Sequence, residues 1–373
     1  MFRPQIQKTR VLFLLALFTM IMVYWAVNSF EQNKTYGYDL KVDAVDAMQS
    51  AIDALRQEFI NLEINNGIDS LGFGSFLLGP KESIIRTVFG SKRSKLSTLN
   101  PNFSAMIVEM LIELDLDSTS HIAVSYTGSY PGANIALLSA FEAMDIKATL
   151  IASCGSSEWG ATYPRMTWID MEGFLYRNKY FSNKSYLGSI GGGSDVGSQL
   201  SIEGRSVCES SIYKNKLKPI FTKDLIDNVN SRKDYFYNNN NLKNIDLFLN
   251  IGGGIFTVGD SLKRSLLPFG IIYPDDIDII EEETVLEAFL VENIPVININ
   301  RIESLNNIYG LPYPHEKKYR VKEGALFYSQ KKYNLKVILT AFILASSMVF
   351  SVGIISHREI KKRMHSSEPE SIL

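Results

Sequence analysis

The sequence has little of what builds metal and thiol chemistry. Its four histidines, His121, His315, His357 and His365, are scattered along 373 residues, with none of the spacings that gather imidazole and thiolate on one ion. Neither a metal site nor a cofactor is expected. Cysteine is limited to Cys154 and Cys208. Both fall in α/β elements of a domain large enough to be stable without a staple, so two free, partly buried thiols are expected, with pairing open to them in an oxidising compartment. An excess of either charge is lacking too: 38 Lys and Arg face 40 Asp and Glu. No basic tract with interleaved aromatics occurs outside the two ends, which speaks against nucleic-acid binding. Also absent are G-x-G-x-x-G, the Lys-Ser/Thr pair of a P-loop and the G-x-S-x-G elbow, so nucleotide binding and a Ser-His-Asp triad have no motif behind them. His121 begins a strand at the end opposite the turns, and His315 lies outside the repeating units as a residual acid–base candidate.

Charge is missing altogether in two places. Residues 11–30 and 337–356 are uncharged runs of twenty, each long enough to cross a hydrocarbon core of about 30 Å as a helix. Arg3, Lys8 and Arg10 precede the first run and Glu31 follows it, while Arg358, Lys361, Lys362 and Arg363 follow the second. The excess of Lys and Arg on the cytoplasmic side of membrane helices then predicts two transmembrane helices, cytoplasmic tails at 1–10 and 357–373, and an extracytoplasmic middle. Lys331, Lys332 and Lys336 argue the other way. Asn28, Ser29 and Phe30 make a poor small-residue cleavage site, so an uncleaved anchor in the cell membrane is expected rather than a signal peptide.

What is present between the anchors has two parts. Residues 31–120 read as a helical region, with an amphipathic helix at 39–65 whose Val45, Met48, Ile52, Leu55, Phe59 and Leu62 recur at spacings of three and four. Under three heptads is short for a coiled coil, so this seam is expected to pack on its own domain. A Gly-rich stretch at 67–79, a basic cluster of Lys92, Arg93 and Lys95, and a helix at 102–114 follow. From 121 to 310 strands alternate with helices: strands at 122–126, 148–152, 186–190, 218–221, 245–250 and 295–299, helices at 135–144, 167–178, 202–214, 223–237 and 284–293, and a last helix at 302–309. This alternation predicts an α/β fold, an open and mostly parallel Rossmann-like sheet with helices on both faces. Asn238 to Asn241 reads as an exposed connection, and 311–336 as a linker to the second anchor.

In an open parallel sheet ligands bind beyond the carboxyl ends of the strands. Four turns there share a composition of small polar residues. The first carries Thr127, Gly128, Ser129, Gly132 and Asn134, with Asn134 placed to cap the helix from Ile135. The second carries Ser153, Ser156, Ser157 and Trp159, the third Gly191, Gly192 and Gly193, and the fourth Gly252, Gly253 and Gly254. Glycine lets backbone N–H groups approach a ligand, hydroxyls add donors, and helix N-termini favour negative charge, so an anion such as a carboxylate or phosphate suits these turns. Among the acids, Glu158 beside Trp159 and Asp195 after three glycines are the candidate catalytic groups; a cap is the other reading of each. Asp170 and Glu172 sit near a helix start, where the dipole accounts for them. The acidic residues Asp275, Asp276, Asp278, Glu281, Glu282 and Glu283 lack EF-hand spacing.

The runs TGSYPGANIA (127–136), SCGSSEWG (153–160), TWIDME (167–172), GGGSD (191–195) and NIGGG (250–254) together resemble the membrane proteins called poly-γ-glutamate system proteins. The likeness covers most of residues 40 to 310. It implies a role in making, exporting or anchoring an anionic poly-γ-glutamate capsule or secreted polymer beside the ligase and membrane partners of that system, and it supplies no established reaction. Cys154 stands where the resemblance leads one to expect a small apolar or hydroxyl residue. The expected function is a membrane-anchored accessory component that binds a carboxylate-bearing chain at the four turns. A hydrolase or transferase acting on γ-glutamyl amides through Glu158 or Asp195 is the alternative, and a scaffold for membrane partners is the other.

Overall fold

The computed structural model describes residues 9–220, 222, 224–238, 245–277, 283–313 and 320–366. The chain divides into two units, Met1–Lys34 with Tyr328–Leu373, and Thr35–Phe327. The first unit opens with α1 (Thr9–Val27), which ends before β1 (Phe30–Glu31).

The central unit opens with α2 (Tyr38–Asn61), whose apolar seam buries Val45, Met48, Ile52, Leu55 and Phe59. Its partners are other helices of the same unit, so the seam packs on its own domain. Lys41 is on the same helix and fully buried. Its amine meets the Glu109 carboxylate, Thr35 Oγ1 at 3.1 Å and the Leu326 carbonyl at 2.9 Å, holding the two ends of the unit together. Next come α3 (Lys92–Ser97), capped by Ser91, and α4 (Asn102–Glu113).

The α/β part follows as β2 (Ile122–Thr127), α5 (Pro131–Ala143), β3 (Ala148–Ser153), α6 (Trp168–Arg177), β4 (Leu187–Ser189), α7 (Ile202–Lys214), β5 (Lys218–Pro219) and α8 (Leu225–Asn238). It continues with β6 (Leu247–Ile251), α9 (Ile255–Val258), α10 (Ser261–Leu266), β7 (Gly270–Ile272), α11 (Val285–Val291), β8 (Val296–Ile299) and α12 (Ile302–Tyr309). Among the described residues the strands form one seven-stranded sheet in the order β5-β4-β3-β2-β6-β8-β7, parallel except for β7. Alternate residues of a strand face opposite sides, and here both sides are covered. Tyr126 meets Trp168 of α6 on one side, with ring centroids 5.5 Å apart. On the other, Phe248 stacks at 4.5 Å on Phe289 of α11, within a cluster that also holds Ala123, Phe236 of α8 and Val296.

Helix α5 starts at Pro131 rather than at Ile135, because proline's fixed φ and missing N–H suit a first helical turn. Asn134 is therefore inside that turn and not its cap. The expectation of free thiols is overturned as well: Cys154 and Cys208 form a disulfide, with Cα atoms 5.6 Å apart. The physical reason is the sheet edge, where the Cys154 N–H bonds the Ser189 carbonyl of β4 and α7 packs against β4. His315, Phe221, Lys223, residues 239–241 of the asparagine tract, and Asp278, Glu281 and Glu282 lie outside the described residues.

The stretch read as a linker divides. Residues 320–327 belong to the central unit: Asn102 Nδ2 donates to the Arg320 carbonyl at 3.2 Å and Lys322 N–H donates to Asn102 Oδ1 at 2.9 Å. In the first unit β9 (Lys332–Tyr333) pairs antiparallel with β1, Phe30 opposite Tyr333, and leads into α13 (Leu335–Ser366). Asn334 Oδ1 accepts from Val337 N–H at 3.1 Å and starts that helix. Helices α1 and α13 pack against each other. Among the described residues these two, over Arg10–Val27 and Leu335–Lys362, are long and apolar enough to span a membrane, with mean hydropathies of 2.1 and 2.3.

Candidate functional site

Register places the carboxyl ends of the strands abreast. Thr127 lies opposite Ser153, Ser153 opposite Ser189, and Ile251 opposite Ile299. The four polar turns thus leave neighbouring strands, β4, β3, β2 and β6, along one edge. They bond chiefly to one another. Ser156 Oγ donates to the Gly128 carbonyl at 2.9 Å, Ser157 N–H donates to Ser129 Oγ at 3.1 Å, and Gly128 N–H reaches the Ser153 carbonyl. Ser153 Oγ and Ser189 Oγ share a 2.7 Å hydrogen bond. Asn134, wholly buried, donates from Nδ2 to the Thr127 carbonyl at 2.9 Å and so holds the first turn instead of facing a ligand.

Close approach also accounts for several glycines. A Cβ on Gly128 would stand 2.8 Å from the Cys154 carbonyl oxygen, one on Gly132 2.7 Å from that of Thr98, and one on Gly253 2.6 Å from Arg264 Nη1. Gly191, Gly192 and Gly252 have φ of 82°, 72° and 102°, where a side chain is strained. Gly193 accepts from Ser198 Oγ, and Gly254 precedes α9.

The two candidate acids are already engaged. Glu158 is buried and receives Arg86 Nη1 at 3.1 Å. Trp159, next to it, turns its ring under Lys92, whose Nζ is 4.7 Å from the centroid. Asp195 is fully shielded in a pair with Arg232 at 2.7 Å and accepts further from Asn228 and Ser189. Asp170 closes a capping box with Thr167 at the start of α6. Glu172 is inside the domain, accepting from Tyr126 at 2.5 Å and from the backbone and hydroxyl of Ser185. Among the described residues no group of three His, Cys, Asp or Glu has a metal-holding arrangement.

What the sequence reading had not assembled is a basic and aromatic rim over the same edge. Residues 85–88 run beside the turn after β3, with Thr87 N–H on the Ser156 carbonyl and Glu158 N–H on that of Val88, and bring Arg86 to it. Helix α3 supplies three cations. Lys92 lies over Trp159, and the Arg93 guanidinium is 5.5 Å from the Tyr313 ring. Lys95 points inward, 1% exposed, with its amine on the Ser129 carbonyl, on Ser157 Oγ at 2.7 Å and 4.6 Å from the Tyr130 ring centroid. Burial pulls this amine down to about 7, and Glu158 opposes the shift. Past β6, Arg264 reaches the Gly253 carbonyl at 3.5 Å; past β8, Arg301 lies 5.5 Å from the Phe269 ring. Tyr130 joins the two sides: burial and Tyr313 push its phenol up to about 12, with Arg264 pulling the other way. Among the described residues Lys92, Arg93, Arg264 and Arg301 have no carboxylate within ion-pair distance.

Cavities flank this edge on both sides. One of about 260 Å³ is bounded by Ser70, Gly79, Pro80, Lys92, Trp159 and Tyr163. Another of about 390 Å³ is bounded by Ile255, Asp260, Lys263, Leu266, Glu283 and Thr284. The fold and this rim define an α/β protein with a positively charged carboxyl edge and two terminal apolar helices. Comparison with family models, curated proteins and solved structures finds no match to the chain.

Proposed function

We propose that the protein is a membrane-anchored accessory component of a poly-γ-glutamate synthesis or export system, and that its Rossmann-like central unit binds the polymer on the outer side of the cell membrane. The observation that carries this reading is the set Lys92, Arg93, Arg264 and Arg301, cations without carboxylate partners among the described residues, along one sheet edge of a chain whose net charge is −2. Such groups attract anions in proportion to their lack of internal neutralisation. Poly-γ-glutamate presents one carboxylate per residue, the charge that such cations pair with. The aromatic faces of Trp159, Tyr130 and Tyr313 between the cations suit the methylene parts of the same chain. The Cys154–Cys208 disulfide supports an oxidising, extracytoplasmic setting.

Titration calorimetry of the detergent-solubilised full chain with oligo-γ-glutamate tests the reading. Binding is expected, weakening as salt rises. A charge-assisted hydrogen bond contributes about 1.5–3 kcal/mol, so Arg93→Ala and Arg264→Ala should each lower affinity by roughly tenfold or more and flatten the salt dependence. No heat at millimolar oligomer, or unchanged affinity in both variants, defeats it.

A further inference from the structure

Lys95 and Ser157 are placed for a chemistry that binding alone does not use. The amine is 2.7 Å from Ser157 Oγ, at the end of the turn that follows β3. Its neighbours are the Ser129 carbonyl, the Tyr130 ring and, from the same turn as Ser157, Glu158. Glu158 is held by Arg86 at 3.1 Å. Among the described residues the lysine thus lacks a direct ion pair in a buried place, and with its pKa near 7 a large share of it is the free base at neutral pH. A neutral amine in hydrogen-bond reach of a hydroxyl is the pairing by which serine is made nucleophilic without histidine. Gly90 packs beside the pair, where a Cβ would be 3.1 Å from Ser157 Oγ and 3.0 Å from Lys95 Cε, and Ser157 keeps 8% of its surface exposed.

We propose that Ser157 and Lys95 form a serine–lysine acyl-transfer site that acts on an amide of the acidic chain bound at the rim. The choice of substrate rests on the anion-binding reading above; the chemistry of the pair does not. Lys95 takes the proton of Ser157 as Oγ bonds to the amide carbon. The C–N bond breaks, and the lysine ammonium returns the proton to the departing amine. Water, or a second amine, then attacks the acyl-serine with its proton passing to Lys95, and Ser157 Oγ leaves with that proton.

A fluorophosphonate probe, which phosphonylates activated serines, tests the pair directly on the full chain in detergent. Mass spectrometry should find the adduct on the peptide containing Ser157. Its rate should rise about tenfold per pH unit below 7 and level off above about 8. Lys95→Met should slow labelling at least 100-fold while thermal unfolding stays cooperative; should that variant not fold, the wild-type pH profile decides. Absence of an adduct at pH 8.5, a flat profile, or equal labelling of folded Lys95→Met overturns the proposal. Calorimetry with oligo-γ-glutamate on the same preparation separates the two readings. An adduct without polymer binding upholds the pair and removes the polymer; polymer binding without an adduct removes the pair.

Discussion

Glu172 carries a pH dependence that can be worked out at a single residue. It is 1% exposed, and burial raises its pKa above the ordinary 4.5, against the hydrogen bonds from Tyr126 and Ser185. A carboxyl group that holds its proton more tightly when folded contributes stability that is whole below pH 4.5 and is lost as pH rises through the folded pKa. Glu172→Gln keeps the shape without the titration. Urea midpoints should therefore fall for the wild type relative to Glu172→Gln between pH 4.5 and pH 8, and parallel curves would contradict the assignment. The same residue shows where sequence reading stops. Its place near the start of a helix explained an acid well enough, but the contact with Tyr126 spans 46 positions, and no local pattern records it. Lys95 is a similar case. It read as one of three clustered cations, and a helix of six residues is too short for periodicity to say which cation turns inward.

At the scale of elements, long repeats were legible and short ones were not. The seam of α2 and the alternation from β2 to α12 were visible because an apolar face, once buried, imposes its period on the sequence. Strand β7 went unseen: Gly270 to Ile272 is three residues long and pairs antiparallel at the sheet edge, so neither length nor alternation marks it. The turns were legible as a set, since glycine and serine at strand ends read as close approach. Which of their groups bond each other depends on register across β4, β3 and β2. The disulfide belongs here also, since it staples the turn after β3, which carries Ser156, Ser157 and Glu158, to α7. Its two cysteines are 54 residues apart. Closing a loop of that length removes unfolded-chain entropy worth about 4 kcal/mol in the chain model, with measured values of about 2–4. The double change Cys154→Ser and Cys208→Ser should lower unfolding free energy by roughly 2–4 kcal/mol. It should also weaken oligo-γ-glutamate binding, because Trp159 and Lys92 lose a fixed turn. A variant with unchanged midpoint and affinity would leave the staple without a role.

At the scale of the whole chain, the first unit is organised by the pairing of β1 with β9. β1 and β9 run antiparallel, and the helices that enter and leave them pack together, so Thr9 of α1 and the carboxyl end of α13 lie at one end of that unit. Arg10 is at that end with Arg358, Lys361 and Lys362, while Glu31, Lys332 and Lys336 are at the other. In the sequence the first cationic set is joined by Arg3, Lys8 and Arg363. The proposed function puts the greater excess of Lys and Arg on the cytoplasmic side of the membrane, with a second crossing returning the chain to that side. The competing cations Lys331, Lys332 and Lys336 are what makes the orientation worth testing. Because Cys154 and Cys208 are buried and bonded, a new surface cysteine reports alone. In intact cells a membrane-impermeant maleimide should label Ser118→Cys, on an exposed turn of the central unit, and should label Ser366→Cys only after lysis. The opposite pattern would put the central unit, its disulfide and its basic edge in the cytoplasm. Under the proposed function the polymer would then be met before export rather than after it.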